Sequence, residues 1–155
     1  HFKLSEFIKS QVGTRNGIKN MPGSGEIKNL GNVAYEILEP VRAKFEKPVM
    51  INSGFRCLEL NRKIGSSDSS QHTKGMAVDF EIIGTPNIQV AYWIQNNCDF
   101  DQLILEFYKP DEDNAGWIHA SYCDGNNRKQ VLTFDGKTYS DGLPDMEWKD
   151  GKVKL

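Results

Sequence analysis

Four side chains in this 155-residue sequence have the types and placement that metal-assisted chemistry needs: His72, Asp79, Glu106 and His119. His72 lies in the Ser/Gly-rich turn "SSQHTKG", and Asp79 interrupts the otherwise apolar run "MAVDFEI". Catalytic zinc takes three protein ligands from His and Asp/Glu and keeps a fourth position for water. His72, Asp79 and His119 meet that count for one Zn2+, which leaves Glu106 free as the proton carrier. Taken singly, each residue has a plainer use, since a histidine in a serine-rich loop is usually solvated and an aspartate can sit on the wet face of a strand. The combination carries more weight because the chain has only 3 histidines and two of them fall beside one polar strand face.

That face follows from alternation, since side chains on a strand point to opposite sides with period two. In "MAVDFEI", Met76, Val78, Phe80 and Ile82 point one way, while Ala77, Asp79 and Glu81 point the other. "QLILEF" sets Leu103, Leu105 and Phe107 against Gln102, Ile104 and Glu106, and "WIHASY" sets Trp117, His119 and Ser121 against Ile118, Ala120 and Tyr122. Three strands therefore offer Asp79, Glu106 and His119 above one sheet face, with His72 arriving from the turn before the first.

Around these strands, Ser5 is positioned to cap a short helix carrying Phe7 and Ile8, and "GTRNGIKNMPGSG" reads as an ordered loop. From Ser24 the apolar residues Ile27, Leu30, Val33, Ile37, Leu38, Val41 and Phe45 recur at helical spacing, with Pro40 expected to kink or split the last turns. A strand is expected at Pro48 to Asn52 and a short helix ending at Gly65. Thr85 and Pro86 open another helix that turns Val90, Trp93 and Ile94 inward. Asp135-Gly136 and Asp150-Gly151 mark two closing hairpins. Together these predict a single α+β domain over residues 1–155, a mostly antiparallel sheet with two to three helices on one face and the zinc site on the other.

Composition excludes several classes. Net charge is -2 with scattered basic residues, so no face suits a phosphate backbone and nucleic acid is not an expected partner. No apolar run approaches the ~18 residues that cross a bilayer. Cys57, Cys98 and Cys123 are odd in number and widely spaced, which reads as free thiols. The opening "HFKLSEFIKS" is amphipathic rather than an export signal, so any targeting segment is expected to be absent or removed.

The segments "SGFRCLELNRKIG", "SSQHTKGMAVDF", "FDQLILEF" and "GWIHASY", in this order, resemble the zinc D-alanyl-D-alanine carboxypeptidase family, in particular its phage and prophage branch of peptidoglycan peptidases. The similarity covers roughly residues 1 to 125. It implies that His72, Asp79 and His119 are the zinc ligands, that Arg56 pairs with a substrate carboxylate, and that Ser70 hydrogen-bonds the substrate. Without it, Arg56 would read as a surface ion pair with Glu59 or another acid. Many members of the family carry an acid three residues before the second histidine, where this chain has Gly116. The phage-like branch has instead a Glu at the end of the preceding strand, matching Glu106, with Asp113 as the reserve. Trp117 walls the site or simply packs, and Gly75 lets the chain turn from His72 into its strand.

The reaction implied is hydrolysis by a zinc-activated water, with Glu106 passing the proton to the departing amine. The expected substrate is a peptidoglycan stem peptide or cross-link, cut by a D-Ala-D-Ala carboxypeptidase or an endolysin-type endopeptidase. The enzyme is expected to be a monomer with no membrane partner, made in the host cytoplasm and acting on the cell wall. The alternatives are a non-catalytic wall-peptide-binding or phage structural module on the same fold, and a zinc amidase acting on the sugar-peptide linkage.

Overall fold

The computed structural model describes residues 1–110, 112–149 and 152–154. Its centre is a six-stranded sheet with the order β1-β2-β4-β3-β5-β6, built from β1 (Val49–Ser53), β2 (Ala77–Ile82), β3 (Gln102–Glu106), β4 (Trp117–Ser121), β5 (Gln130–Phe134) and β6 (Tyr139–Asp141). All neighbours are antiparallel except β3 and β5, which run parallel. The architecture is α+β and mostly antiparallel, as the alternating segments require.

One sheet face is closed by helices. Val78, Phe80, Ile82, Leu103, Ile118 and Ala120 pack with Leu30, Val33, Ile37 and Val41 of the long helical segment and with Val90, Ala91 and Ile94 of α6 (Asn87–Asn97). Side chains of this kind gain about 1.5 to 3 kcal/mol each on burial, so the layer supplies the main drive for folding. The opposite face carries Asp79 and His119. Trp93 stays at the rim of the core, edge-on to Phe45.

The long helical segment is split as Pro40 requires. Helix α3 (Ser24–Val33) passes into a π-helical turn (Ala34–Leu38) and continues as α4 (Glu39–Phe45). Proline has no N–H and its ring crowds the carbonyl four residues back, so the ladder widens and Glu39 N–H donates to the Ala34 carbonyl. Sequential Ile37 and Leu38 are both fully buried as a result. At the other end of the stripe Ile27 is 43% exposed, outside the core the spacing assigned it to.

Other expectations are corrected locally. The first helix, α1 (Leu4–Ile8), is capped not by Ser5, which lies inside it, but at Lys3, whose N–H donates to the Glu6 carboxylate at 2.7 Å. Part of the expected loop is helical: Ser10 accepts from Gly13 N–H at 3.1 Å and opens α2 (Gln11–Arg15). Pro86, not Thr85, is the N-cap of α6; Thr85 instead accepts from Lys47 Nζ at 2.9 Å. Helix α5 (Leu58–Lys63), by contrast, is ended by Gly65 as expected, the glycine following the cap residue Ile64 with φ +77°. The first hairpin uses a longer turn than Asp135-Gly136 alone, with Asp135 accepting from the N–H groups of Lys137 and Thr138. Strands β7 (Glu147–Lys149) and β8 (Lys152–Lys154) pair antiparallel, and the expected Asp150-Gly151 turn lies outside the described residues. The three cysteines are free thiols, and no helix among the described residues is long and apolar enough to cross a membrane.

Buried Asp101 ties the end of the sheet together. Its carboxylate takes a forked pair of hydrogen bonds from Arg128, at 2.9 and 2.7 Å, and a third from Gln71 Nε2 at 2.8 Å. The Arg128 side chain, against the opposing cost of burial, holds the Asp101 carboxyl at about 2. A depressed carboxyl contributes stability above its unfolded pKa of about 3.9 and loses it as pH falls through the folded value. Asp101→Asn should therefore lower stability by about 1 to 3 kcal/mol at pH 6. Denaturant melts of both proteins should converge as pH falls from about 4 to 2, and a gap independent of pH would contradict the assignment.

Candidate metal centre and active site

Each side chain of the centre is delivered by a local device. His72 rides on a 3-10 turn (Gln71–Lys74) that Ser70 opens by accepting the His72 N–H at 3.4 Å. Gly75 closes the turn at φ +67°, where a Cβ would stand 2.5 Å from the Glu26 carbonyl oxygen of α3. Only glycine permits that approach, so this residue presses the His72 turn onto the helix layer. Asn29 Nδ2 adds a second tie to the Lys74 carbonyl at 2.8 Å.

The His72 ring is aimed by the backbone of Gly54, whose carbonyl oxygen lies 2.6 Å from Nδ1. A carbonyl only accepts, so Nδ1 carries the proton and Nε2 presents a lone pair. Gly54 is itself held close, since a Cβ there would meet the Phe7 carbonyl at 2.6 Å and the next residue, Phe55, donates to that same oxygen at 2.8 Å. Asp79 and His119 need no such device, being direct partners across the β2–β4 ladder.

Three donor atoms meet as a result. His72 Nε2 is 3.2 Å from Asp79 Oδ1 and 3.3 Å from His119 Nδ1, and His119 Nδ1 is 2.9 Å from Asp79 Oδ1. All three residues are buried. Burial lowers the His72 pKa despite the pull of Asp79, so the ring is neutral near pH 7. Burial alone would raise the Asp79 carboxyl, but His72 and His119 together outweigh it and hold it below the usual carboxylate range. The bare Nε2 of His72 thus faces an ionised oxygen, two acceptors with no proton between them. A divalent cation relieves that conflict, and the donor set fits zinc.

Glu106 lines the same cavity, of about 420 Å3, together with His72, Asp79, His119, Arg56 and Ser70. Burial and the neighbouring Asp79 raise its pKa, while His119 and Arg56 oppose the shift. The Trp117 indole N–H pulls weakly the same way, yet makes no hydrogen bond of good geometry. Gly116 explains why the acid stands here and not three residues before His119. It has φ +66°, and a Cβ would lie 1.7 Å from the Glu106 carbonyl oxygen. A side chain at 116 and this path of β3 are mutually exclusive.

Arg56 is nearly buried, with its side chain 15% exposed, and pairs with Asp79 rather than Glu59: Nη2 is 3.5 Å from Asp79 Oδ2. Its Nε is buried without a partner among the described residues. Burial lowers its pKa, against Asp79 and Glu106, yet a guanidinium stays charged. Asn20 brackets it, donating to the Phe55 carbonyl at 2.8 Å and accepting from Cys57 N–H at 2.8 Å. Exposed Asp113 lies outside the cavity lining; its carbonyl instead accepts from Asn87 N–H at the start of α6.

Alternation failed at Phe107. The residue has φ +55°, which ends β3 and swings the ring from the predicted core onto the cavity rim, where it is 41% exposed. It packs on Trp117 at 4.9 Å and Phe134 at 5.1 Å, and Phe134 stacks on Tyr139 at 4.4 Å. Phe134 and Tyr139 were not singled out from the sequence. Their signal was there, an aromatic on each side of the Asp135-Gly136 turn.

A buried pair of imidazoles with one carboxylate, opening on a cleft beside a free acid, defines a single-metal hydrolase. Compared with known families, the chain matches Peptidase M15 over residues 1–119 and belongs to that family of zinc metallopeptidases. No curated protein matches the chain.

Two outcomes are expected. Metal analysis should find one zinc per chain, with His119→Ala losing it and the thermal stabilisation by added zinc seen in the parent; stabilisation amounts to about 4 kcal/mol at a thousandfold excess over Kd. Gly116→Ala should destabilise the fold by about 3 kcal/mol or more, read by chemical denaturation, because both the clash and the positive φ oppose it.

Proposed function

We propose that the protein hydrolyses peptide bonds in peptidoglycan stem peptides or cross-links, with Glu106 as the proton carrier. The observation that carries this reading is the shared cavity: the Glu106 carboxylate faces the same space as the three ligand residues. His72, Asp79 and His119 would hold the zinc. When bound, zinc supplies Lewis-acid chemistry, acidifying a water and polarising a carbonyl. Glu106 takes the proton from the attacking water at its carboxylate oxygen and returns it to the departing amine nitrogen. Its raised pKa suits both halves of that transfer, because a stronger base accepts the proton and the resulting acid survives long enough to donate it.

Arg56 offers guanidinium donors left free by its long contact to Asp79, and binds a substrate carboxylate. The Ser70 hydroxyl accepts from His72 N–H and keeps its own proton for the substrate. The aromatic wall from Phe107 to Tyr139 excludes water from one side. One chain supplies every group named, consistent with a monomer. A phage or prophage origin and action on the wall after synthesis in the host cytoplasm follow from the sequence resemblance.

Glu106→Gln should retain zinc but lose at least about a hundredfold in hydrolysis of purified peptidoglycan, with products read by mass spectrometry. Full turnover in this variant would remove Glu106 from the mechanism. Zinc-loaded parent protein that binds peptide but releases no product would instead identify a binding module.

A further inference from the structure

The cleft does not end at Arg56. A second groove, of about 1010 Å3, runs from α2 and the edge strand β1 to the metal centre, and both cavities are lined by Arg56, Ile64 and Asp79. A site of 300 to 1,000 Å3 takes a whole small ligand, so the two together far exceed what a terminal dipeptide fills. We propose that the groove over β1 receives an acidic segment of the peptide substrate, which therefore crosses the metal centre and is cut internally rather than at its last residue. This rests on the peptidase reading above and adds to it the substrate class and the position of the cut.

Charge complementarity selects the occupant. The groove is lined by Lys9, Arg15 and Arg56, against one acid, Asp79, which is already engaged by His72 and His119. Lys9 and Arg15 are exposed, and neither has an ion pair or side-chain hydrogen bond among the described residues. In a protein of net charge -2, this is a local reversal of sign next to the reacting centre. The unpaired side chains of Lys9 and Arg15 meet carboxylates of the bound peptide, and Gln11 and Asn52 offer amide groups to its backbone.

The test separates binding from cutting. Zinc-loaded Glu106→Gln protein is titrated into two labelled, C-terminally amidated hexapeptides, one with Glu side chains and one with Gln in their place, and followed by fluorescence anisotropy at low salt. The acidic peptide should bind about tenfold more tightly, because two exposed ion pairs contribute up to about fivefold each. That preference should shrink with added salt and vanish when Lys9→Gln and Arg15→Gln are combined. Zinc-loaded parent protein should cut the acidic peptide with at least two residues on each side of the break. Equal binding of the two peptides, a preference unchanged in the double variant, or release of only the last residue overturns the inference. Charge-selective binding with no cleavage leaves the groove assignment standing and overturns the hydrolysis on which the internal cut depends.

Discussion

The molecule is organised around an electrostatic conflict: three electron-rich atoms stand within hydrogen-bond distance with too few protons to reconcile them. The Gly54 carbonyl removes the one simple escape by claiming the His72 proton on the far side of the ring. Without a cation the arrangement costs free energy, and the surrounding structure must hold it open. It does so with backbone close approaches at Gly54 and Gly75, where side chains would collide with α1 and α3, and with a ladder that fixes Asp79 opposite His119. The helix layer that forms the core thus also braces the metal centre, because α3 touches the turn that carries His72.

The same close packing places Glu106 in the cleft. Gly116 and Glu106 form one unit: the bare α-carbon of the first lets the chain pass against the carbonyl of the second. A carboxylate at the end of β3 and a side chain three residues before His119 are alternatives, and this backbone has taken the former. Arg56 completes the electrostatics, since its charge lies close enough to Asp79 and Glu106 to favour their ionised forms while its own hydrogen-bonding capacity is only partly used.

Much of this was legible in the sequence because a strand's period of two is a rigid rule. Val78, Phe80, Leu103 and Ile118 went to the core, and Asp79 and His119 to the other face, as alternation requires. The rule failed at Phe107, where a positive φ reverses the direction of the ring, and nothing in the residue type announces a left-handed phenylalanine. Helix periodicity gave the long α3–α4 segment and its break at Pro40, but overextended the buried stripe to Ile27. Caps were the least legible feature. Ser5 and Thr85 are good cap types, yet Glu6 and the 113–116 carbonyls decide where α1 and α6 begin. The groove over β1 could not be read at all, since it is assembled from segments far apart in the chain.

The family match ends at His119, while Phe134 and Tyr139 come from the β5–β6 hairpin that follows. His72, Asp79, Glu106 and His119 thus all precede in sequence the hairpin that completes one wall of the cleft. A substitution of the ring at Phe134 or Tyr139 would redraw that wall while leaving His72, Asp79 and His119 in place. The shape of the cleft and the grip on a metal are thereby drawn from different stretches of the chain, joined where β5 lies beside β3.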